Sequence, residues 1–209
     1  MTKNRDGDAR GFWDAHYARH PDVWSGAPNA VLVDEIRHLR PGAALDLGCG
    51  EGADAIWLAQ RGWHVTAVDV SPVALERAAQ HARTAGVTDG ITFAHRDLDG
   101  TFPAGSFDLV AAHYLHSPER QLHGQMLERS VGAVASGGTL LLVGHASVAP
   151  WSWDQHARLP TAREVLDRLE LASQSWVVDV CEDRPRHAIR PNGESATVLD
   201  SIVRVRRAI

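Results

Sequence analysis

Residues 43–52 read Ala-Ala-Leu-Asp-Leu-Gly-Cys-Gly-Glu-Gly, an apolar run of strand length that breaks on three alternating glycines and resumes as the helical pattern of 53–61. Glycines in such a turn let the backbone bend sharply and approach a ligand with no Cβ in the way. The helix that follows presents amide hydrogens and a positive dipole end to the same place. The alternation continues with a strand at 64–68, a helix at 72–85, strands at 91–94 and 107–112, a helix at 118–134 and a strand at 139–143. Ser71 caps the second of these helices and Pro72 takes its first position. Strands and helices alternating at this spacing form parallel βαβ units with right-handed crossovers and helices on both faces of the sheet.

The two ends depart from that rhythm. Ahead of the first strand stand an amphipathic stretch at 11–20 and a helix at 28–39, opened by Pro28 and stopped by Pro41-Gly42. Behind the fifth strand a long irregular segment, 144–160, leads to a helix at 161–169 and two β-rich runs, 173–181 and 196–205. Only the turn-rich stretch 183–194 separates those runs, so they form a hairpin and the last strand enters the sheet antiparallel. With 209 residues and no internal repeat the expectation is a single domain over 1–209, with a flexible tail at 1–10.

Charge excludes several partners. Twenty-six acids against 21 bases leave a net charge of −5, no electrostatic footprint for nucleic acid or an anionic membrane. Two cysteines, Cys49 and Cys181, match neither a disulfide scaffold nor a zinc spacing, and no metal is expected. No apolar window reaches the length of a membrane span and the N-terminus is polar, so a cytoplasmic protein is expected.

Twenty-one residues after Gly48, Asp69 ends the second strand, where a carboxylate can accept both hydroxyl protons of an adenosine ribose. Gly48, Gly50 and Ala53 also satisfy the loose dinucleotide pattern, so the glycines alone leave a nicotinamide cofactor open. Three features point elsewhere. Asp46, two residues before the first glycine, would repel a pyrophosphate and suits a cationic group. Asp97 closes the third strand, placed to accept from an adenine amino group. The antiparallel last strand is foreign to the ordinary nucleotide-binding order.

The segments LDLGCGEG, AVDVS, HRDLDG and FDLVAAHYLH resemble the successive motifs of class I S-adenosylmethionine-dependent methyltransferases. The stretch FWDAHYARHPDVWSGAPNAVLVD is similar to the small stand-alone branch that includes tellurite-resistance and thiopurine methyltransferases. The resemblance implies a Rossmann-like, doubly wound seven-stranded α/β sheet, mostly parallel with an antiparallel last strand. It implies S-adenosylmethionine as cofactor, S-adenosylhomocysteine as product, and a segment at 11–40 that folds over the cofactor as a lid. It implies a cofactor site of Tyr17, Trp24, Asp46, Gly48, Cys49, Gly50, Asp69, Val70, Asp97, Leu98 and His113. Gly48 and Gly50 would face the methionine part, Asp69 the ribose, Asp97 the adenine, and Asp46 the sulfonium end or, through water, the amino group.

Seven tryptophans and twelve histidines are unusual for this length. Trp57, Trp63 and Trp176 fall on elements and read as structural. Phe12 and Trp13 read as packing residues, whereas Tyr17 and Trp24 suit either packing or an aromatic face beside a sulfonium cation. His113, His116 and His145 follow the fourth and fifth strands and lie at the ligand edge of the sheet. His116 and His145 are the candidate catalytic general bases, set against a cofactor or core contact for His113 and a helix cap for His116. Zinc on His113, His116 and His145 lacks a carboxylate or thiol at ligand spacing. In the 144–160 loop Trp151, Trp153 and His156 are candidate substrate-binding residues, although the two indoles could equally bury against the sheet edge.

No added target-recognition domain or basic platform is visible, so the acceptor is expected to be a small molecule methylated on oxygen, nitrogen or sulfur, and the protein a monomer or homodimer. Two other classes stay open: an inactive module that binds S-adenosylmethionine, and an NAD-dependent oxidoreductase.

Overall fold

A computed structural model describes residues 8–19, 26–115, 124–152, 155–190 and 192–209. In chain order α1 (Asp8–Arg19) and α2 (Ala30–Ile36) precede β1 (Ala43–Leu47), α3 (Ala53–Gln60), β2 (His64–Asp69), α4 (Pro72–Thr84), β3 (Ile91–His95) and β4 (Phe107–His113). There follow α5 (Gly124–Gly132), β5 (Val134–His145), α6 (Ala162–Arg168), β6 (Trp176–Ile189) and β7 (Ser195–Arg207). The seven strands form one sheet in the order β3-β2-β1-β4-β5-β7-β6. The pairs among the first five are parallel, and β7 runs antiparallel to both its neighbours. This is the Rossmann-like sheet expected, with only the last strand reversed.

Alternation along the strands builds a core on each face. Leu45, Val110, Leu140, Leu142 and Val203 pack with Met126 and Leu127 of α5 and Val165 of α6. Ala44, Leu109, Ala111, Leu141, Val143 and Ile202 pack on the other face with Leu32 and Ile36 of α2 and Leu58 of α3. Trp57 and Trp63 are buried and Trp176 packs against the first of these cores, as their positions suggested.

Three elements differ from the sequence expectation. Helix α2 starts at Ala30 because Asn29, two residues before Val31, accepts that residue's amide at 2.9 Å and takes the cap. The helix expected to run to residue 134 ends at Gly132, and Val134 already pairs with Phe107; its first residues lie outside the described ones. The hairpin turn shrinks from 183–194 to a short link in which the Arg190 amide donates to the Glu194 carbonyl at 2.8 Å. Strand β6 continues through Pro185 because it is the outer strand, which uses only half of its backbone groups in the ladder.

Glu35 ties α2 to that hairpin. It is buried, and it meets Arg184 at 2.7 Å and Arg204 at 3.0 Å, while Arg204 also donates to its backbone carbonyl at 2.6 Å. Removing the carboxylate leaves the largely buried Arg204 with only that backbone carbonyl and Asp179, 3.8 Å away, among the described residues. We expect Glu35→Ala to cost about 3 kcal/mol, read as a lower urea midpoint at unchanged slope.

At the N-terminal side α1 docks on α4. Ser71 donates its hydroxyl to Asp14 at 2.6 Å, and Arg77 donates to the Tyr17 carbonyl at 2.7 Å while pairing with Glu51 at 2.8 Å. Tyr17 is buried. Phe12 is 44% exposed and so is not the packing residue its helical spacing suggested.

Candidate active site

Open α/β sheets bind ligands at the carboxyl ends of their strands, and the glycine turn occupies that edge. Gly48, Gly50 and Gly52 have φ of +72°, +52° and +87°, the left-handed region that favours glycine. A Cβ on Gly52 would also lie 2.9 Å from the Ala78 Cβ, so a side chain there would separate α3 from α4. Asp69 ties the end of β2 to the turn: one carboxylate oxygen accepts the Gly50 amide and the other the Ser71 amide, both at 2.9 Å. Each oxygen keeps lone-pair capacity for a further donor. Burial raises the Asp69 carboxyl from its usual range, opposed by the amides of Ser71, Gly50 and Val70.

Beside the turn lies a trio in which Asp46 is buried and Asp54 and His113 are half-buried. Asp46 at the end of β1, Asp54 in the first turn of α3 and His113 at the end of β4 offer atoms within 4.8 Å of one another. His113 Nδ1 stands 2.8 Å from Asp54, whose other oxygen accepts the Asn29 amide at 2.6 Å. Among the described residues, Oδ2 of Asp46 and Nε2 of His113 are buried with no hydrogen-bond partner. Burial, then the Asp54 charge, pushes the Asp46 carboxyl up to about 7. Burial opposes the charge on His113, yet Asp54 outweighs it and raises the imidazole above its usual value. Burial likewise opposes ionisation of Asp54, but His113 and the Asn29 amide hold its carboxyl low. His113 thus balances Asp54, and Asp46 is the acid of the trio whose buried oxygen has no partner among the described residues. A diphosphate would meet that acid, whereas a cationic group would complete it.

The other expected cofactor residues line the same edge. Cys49 follows Gly48 in the turn, and burial raises its thiol well above the usual value. The Val70 carbonyl faces His95 Nε2 at 3.0 Å. Asp97 shapes the loop after β3 by accepting the Asp99 amide at 3.1 Å, and Leu98 packs against the core.

The candidate catalytic and substrate residues divide. His145 ends β5 directly across from Asp200 of β7, with Nδ1 3.2 Å from the carboxylate. Tyr114, just past β4, stacks on the His145 ring at 4.4 Å and donates its hydroxyl to Asp200 at 2.7 Å. Arg186 of β6 adds Nε at 2.5 Å and Nη2 at 3.2 Å to the same carboxylate. Burial opposes its charge, but these donors hold Asp200 down to about 2. Trp151 is half-buried under the Arg190 guanidinium, 5.7 Å from its ring, and His156 is exposed. Trp24, His116 and Trp153 lie outside the described residues.

Asp54, Tyr114, Arg186 and Asp200 escaped the sequence reading. Asp200 left a trace, an acid interrupting the apolar run of a strand, although its partners are far away in the chain.

Three comparisons bear on this edge. A family model described as "Methyltransferase domain" matches residues 44–138, from β1 through the glycine turn to the start of β5. A ribosomal protein L11 methyltransferase of Thermus thermophilus is 37% identical over 109 residues, 52% of this chain and 41% of that protein. A 2-heptyl-1-hydroxyquinolin-4(1H)-one methyltransferase of Mycobacteroides abscessus is 30% identical over 192 residues, 86% of this chain and 80% of the relative. The chain belongs to the class I S-adenosylmethionine-dependent methyltransferases.

Solved structures of this methyltransferase fold superpose over nearly the whole chain. One, from a study of the conversion of a disulfide bond into a thioacetal group during echinomycin biosynthesis, has a TM-score of 0.71 at 25% identity, covering 95% of this chain and 91% of that one. TehB from Haemophilus influenzae has a TM-score of 0.69 at 17% identity, covering 94% and 66%. The chain spans about two fifths of the length of the first curated relatives it matches, 41% and 42%.

Proposed function

We propose that this methyltransferase moves a methyl group from S-adenosylmethionine to oxygen, nitrogen or sulfur of a small molecule. The observation that carries the cofactor assignment is the unpartnered, buried Asp46 oxygen beside the glycine turn, which fits a cationic amino or sulfonium group and opposes a diphosphate. In this reading Gly48, Cys49 and Gly50 face the methionine part with Asp46 and His113, Asp69 and Val70 hold the ribose, and Asp97 and Leu98 hold the adenine. Bound there, the cofactor supplies an electrophilic methyl group on sulfur. The protein contributes alignment of the acceptor with that group and exclusion of water, which together supply much of the acceleration of an in-line displacement.

Tyr17 belongs to the same reading as part of a lid: α1 hangs on Ser71, two residues from the proposed ribose carboxylate. A small acceptor is supported by the net charge of −5 and by the Mycobacteroides abscessus relative, named for a hydroxyquinolone, which matches 86% of the chain. The ribosomal-protein relative matches only 52%. Trp151 offers an acceptor wall at the mouth of the β6–β7 hairpin. Among the described residues no helix is long and apolar enough to cross a membrane.

Calorimetry with S-adenosylmethionine, S-adenosylhomocysteine and NAD tests the assignment. The first two should bind in the micromolar range and NAD should not. Binding of NAD alone would overturn it, and binding of S-adenosylmethionine without turnover on any acceptor would mark an inactive binding module.

A further inference from the structure

The polar groups at the ligand edge share one face of the sheet. Asp46 and His113 continue the α2-side alternation of β1 and β4, and His145 continues that of β5. Asp200 stands opposite His145 on β7. The edge therefore carries two polar clusters. The trio at β1 is rich in acid and suits the cation of the cofactor. The second, on β5, β7 and β6, is charge-balanced by Arg186 and centred on Asp200, which is only 1% exposed.

The second cluster has the construction of a positioned base. Oδ2 of Asp200 receives Tyr114 Oη and Arg186 Nε, and Oδ1 receives the longer contacts from Arg186 Nη2 and His145 Nδ1. A carboxylate facing Nδ1 selects the tautomer that carries its proton there, leaving Nε2 as the proton-accepting nitrogen. Tyr114 stacks against the imidazole and fixes its plane. Its backbone sits at φ +50°, a left-handed conformation that costs a non-glycine residue energy and persists only where its surroundings enforce it. Here the Tyr114 amide donates to the Val143 carbonyl at 2.8 Å and its hydroxyl to Asp200. The hydroxyl itself is no competing base, because burial and then donation to Asp200 raise it above its usual value.

We propose that Asp200, with Arg186 and Tyr114, positions His145 as the general base of this methyltransferase, and that the acceptor is a molecule whose nucleophilic oxygen must lose a hydroxyl proton. This rests on the methyl-transfer reading above. The acceptor's hydroxyl proton passes to His145 Nε2, the oxygen's lone pair forms the new O–CH3 bond, and the electron pair of the broken S–CH3 bond stays on sulfur. Of the contacts described, His145 faces Asp200 from β7 and Tyr114 from the segment after β4, and Arg186 from β6 reaches it through Asp200. An acceptor already ionised at neutral pH, such as an aromatic thiolate, needs none of these groups.

The tautomer of His145 can be read without any acceptor, by long-range 15N–1H correlation spectra of the full chain at pH 8, with the resonance assigned through His145→Gln. The expected form is Nδ1–H; a predominantly Nε2–H ring overturns the proposal. In Asp200→Asn the two strong donors keep the amide oxygen at the Oδ2 position. The amide NH2 then donates to Nδ1 and the ring switches to Nε2–H. An unchanged tautomer in a folded Asp200→Asn protein also overturns it.

Kinetics supply the second arm, with 4-methoxyphenol and 2-naphthol as hydroxyl probes and thiophenol as the ionised one. Asp200→Asn should lower kcat on a hydroxyl probe ten- to a hundredfold and abolish the acid limb of its pH profile, with KM for S-adenosylmethionine unchanged. Loss through KM with an unaltered pH profile would mark a merely structural role. No transfer to either hydroxyl probe overturns the acceptor class. A chain that binds no S-adenosylmethionine fails the earlier reading; one that binds it and shows the wrong tautomer fails only this one.

Discussion

Asp69→Ala is expected to weaken S-adenosylhomocysteine binding by more than two orders of magnitude. A carboxylate that accepts two ribose hydroxyls makes two charge-assisted hydrogen bonds, each worth about 1.5–3 kcal/mol, and tenfold in affinity is about 1.4 kcal/mol. The structure adds a second cost, because the same carboxylate holds the Gly50 and Ser71 amides. Its loss leaves two donors at the site without their acceptor and lowers the melting temperature as well. Asp69→Asn separates the two effects: one acceptor oxygen survives, so affinity and stability should both fall between those of the wild type and the alanine variant. Calorimetry and thermal melting on the three proteins decide it, and unchanged affinity in Asp69→Ala would sink the ribose assignment.

The second large effect is on pH dependence, through Asp46. In the fold this carboxyl keeps its proton up to about 7, against 3.8 in its ordinary state. Between those values the folded chain holds this proton more firmly than the unfolded one, so the Asp46 contribution to stability without ligand is lost as pH rises across that window and levels off above it. His113 and Asp69, both raised, act in the same direction. A cationic ligand group favours the ionised carboxylate, so cofactor affinity moves the opposite way, climbing roughly tenfold per pH unit below about 7 and flattening above. Asp46→Asn should remove most of that slope and weaken binding at pH 8 by about tenfold to a hundredfold. Calorimetric titrations at pH 6, 7 and 8 check it; a wild-type affinity that does not change with pH removes Asp46 from the cation's neighbourhood.

The sheet was legible because its signals are local. An apolar run ending in glycines, a Ser-Pro helix start and an acid at a strand end each act within a few residues, and β1, α3, β2 and α4 lie within a residue of where those signals put them. Asn29 outcompeting Pro28 for a helix start is a local contest that the residue types leave open. The extent of β6 was not local: whether Arg184, Pro185 and Arg186 form strand or turn depends on β6 being the outer strand, which follows from topology. The site divides the same way. Gly48, Gly50 and Asp69 belong to one βαβ unit and could be read from spacing. Asp200 reaches His145 from 55 residues away and Tyr114 from 86, through a strand that inserts backwards between β5 and β6. No periodicity announces a meeting of that kind.

Strand β6 also decides how the sheet ends. Its outer backbone groups are an open template for another strand, the usual starting point of aggregation by edge pairing. From Asp179 to Arg186 that template is crowded with Asp179, Glu182, Asp183, Arg184 and Arg186 and interrupted by Pro185, so an incoming strand meets charge and a missing donor along most of its length. The two ends of the strand, with Val177 and Val178 half exposed at its start and Ile189 exposed at its finish, lack this protection. The same arginines that hold Glu35 and Asp200 therefore help keep neighbouring molecules from extending the sheet.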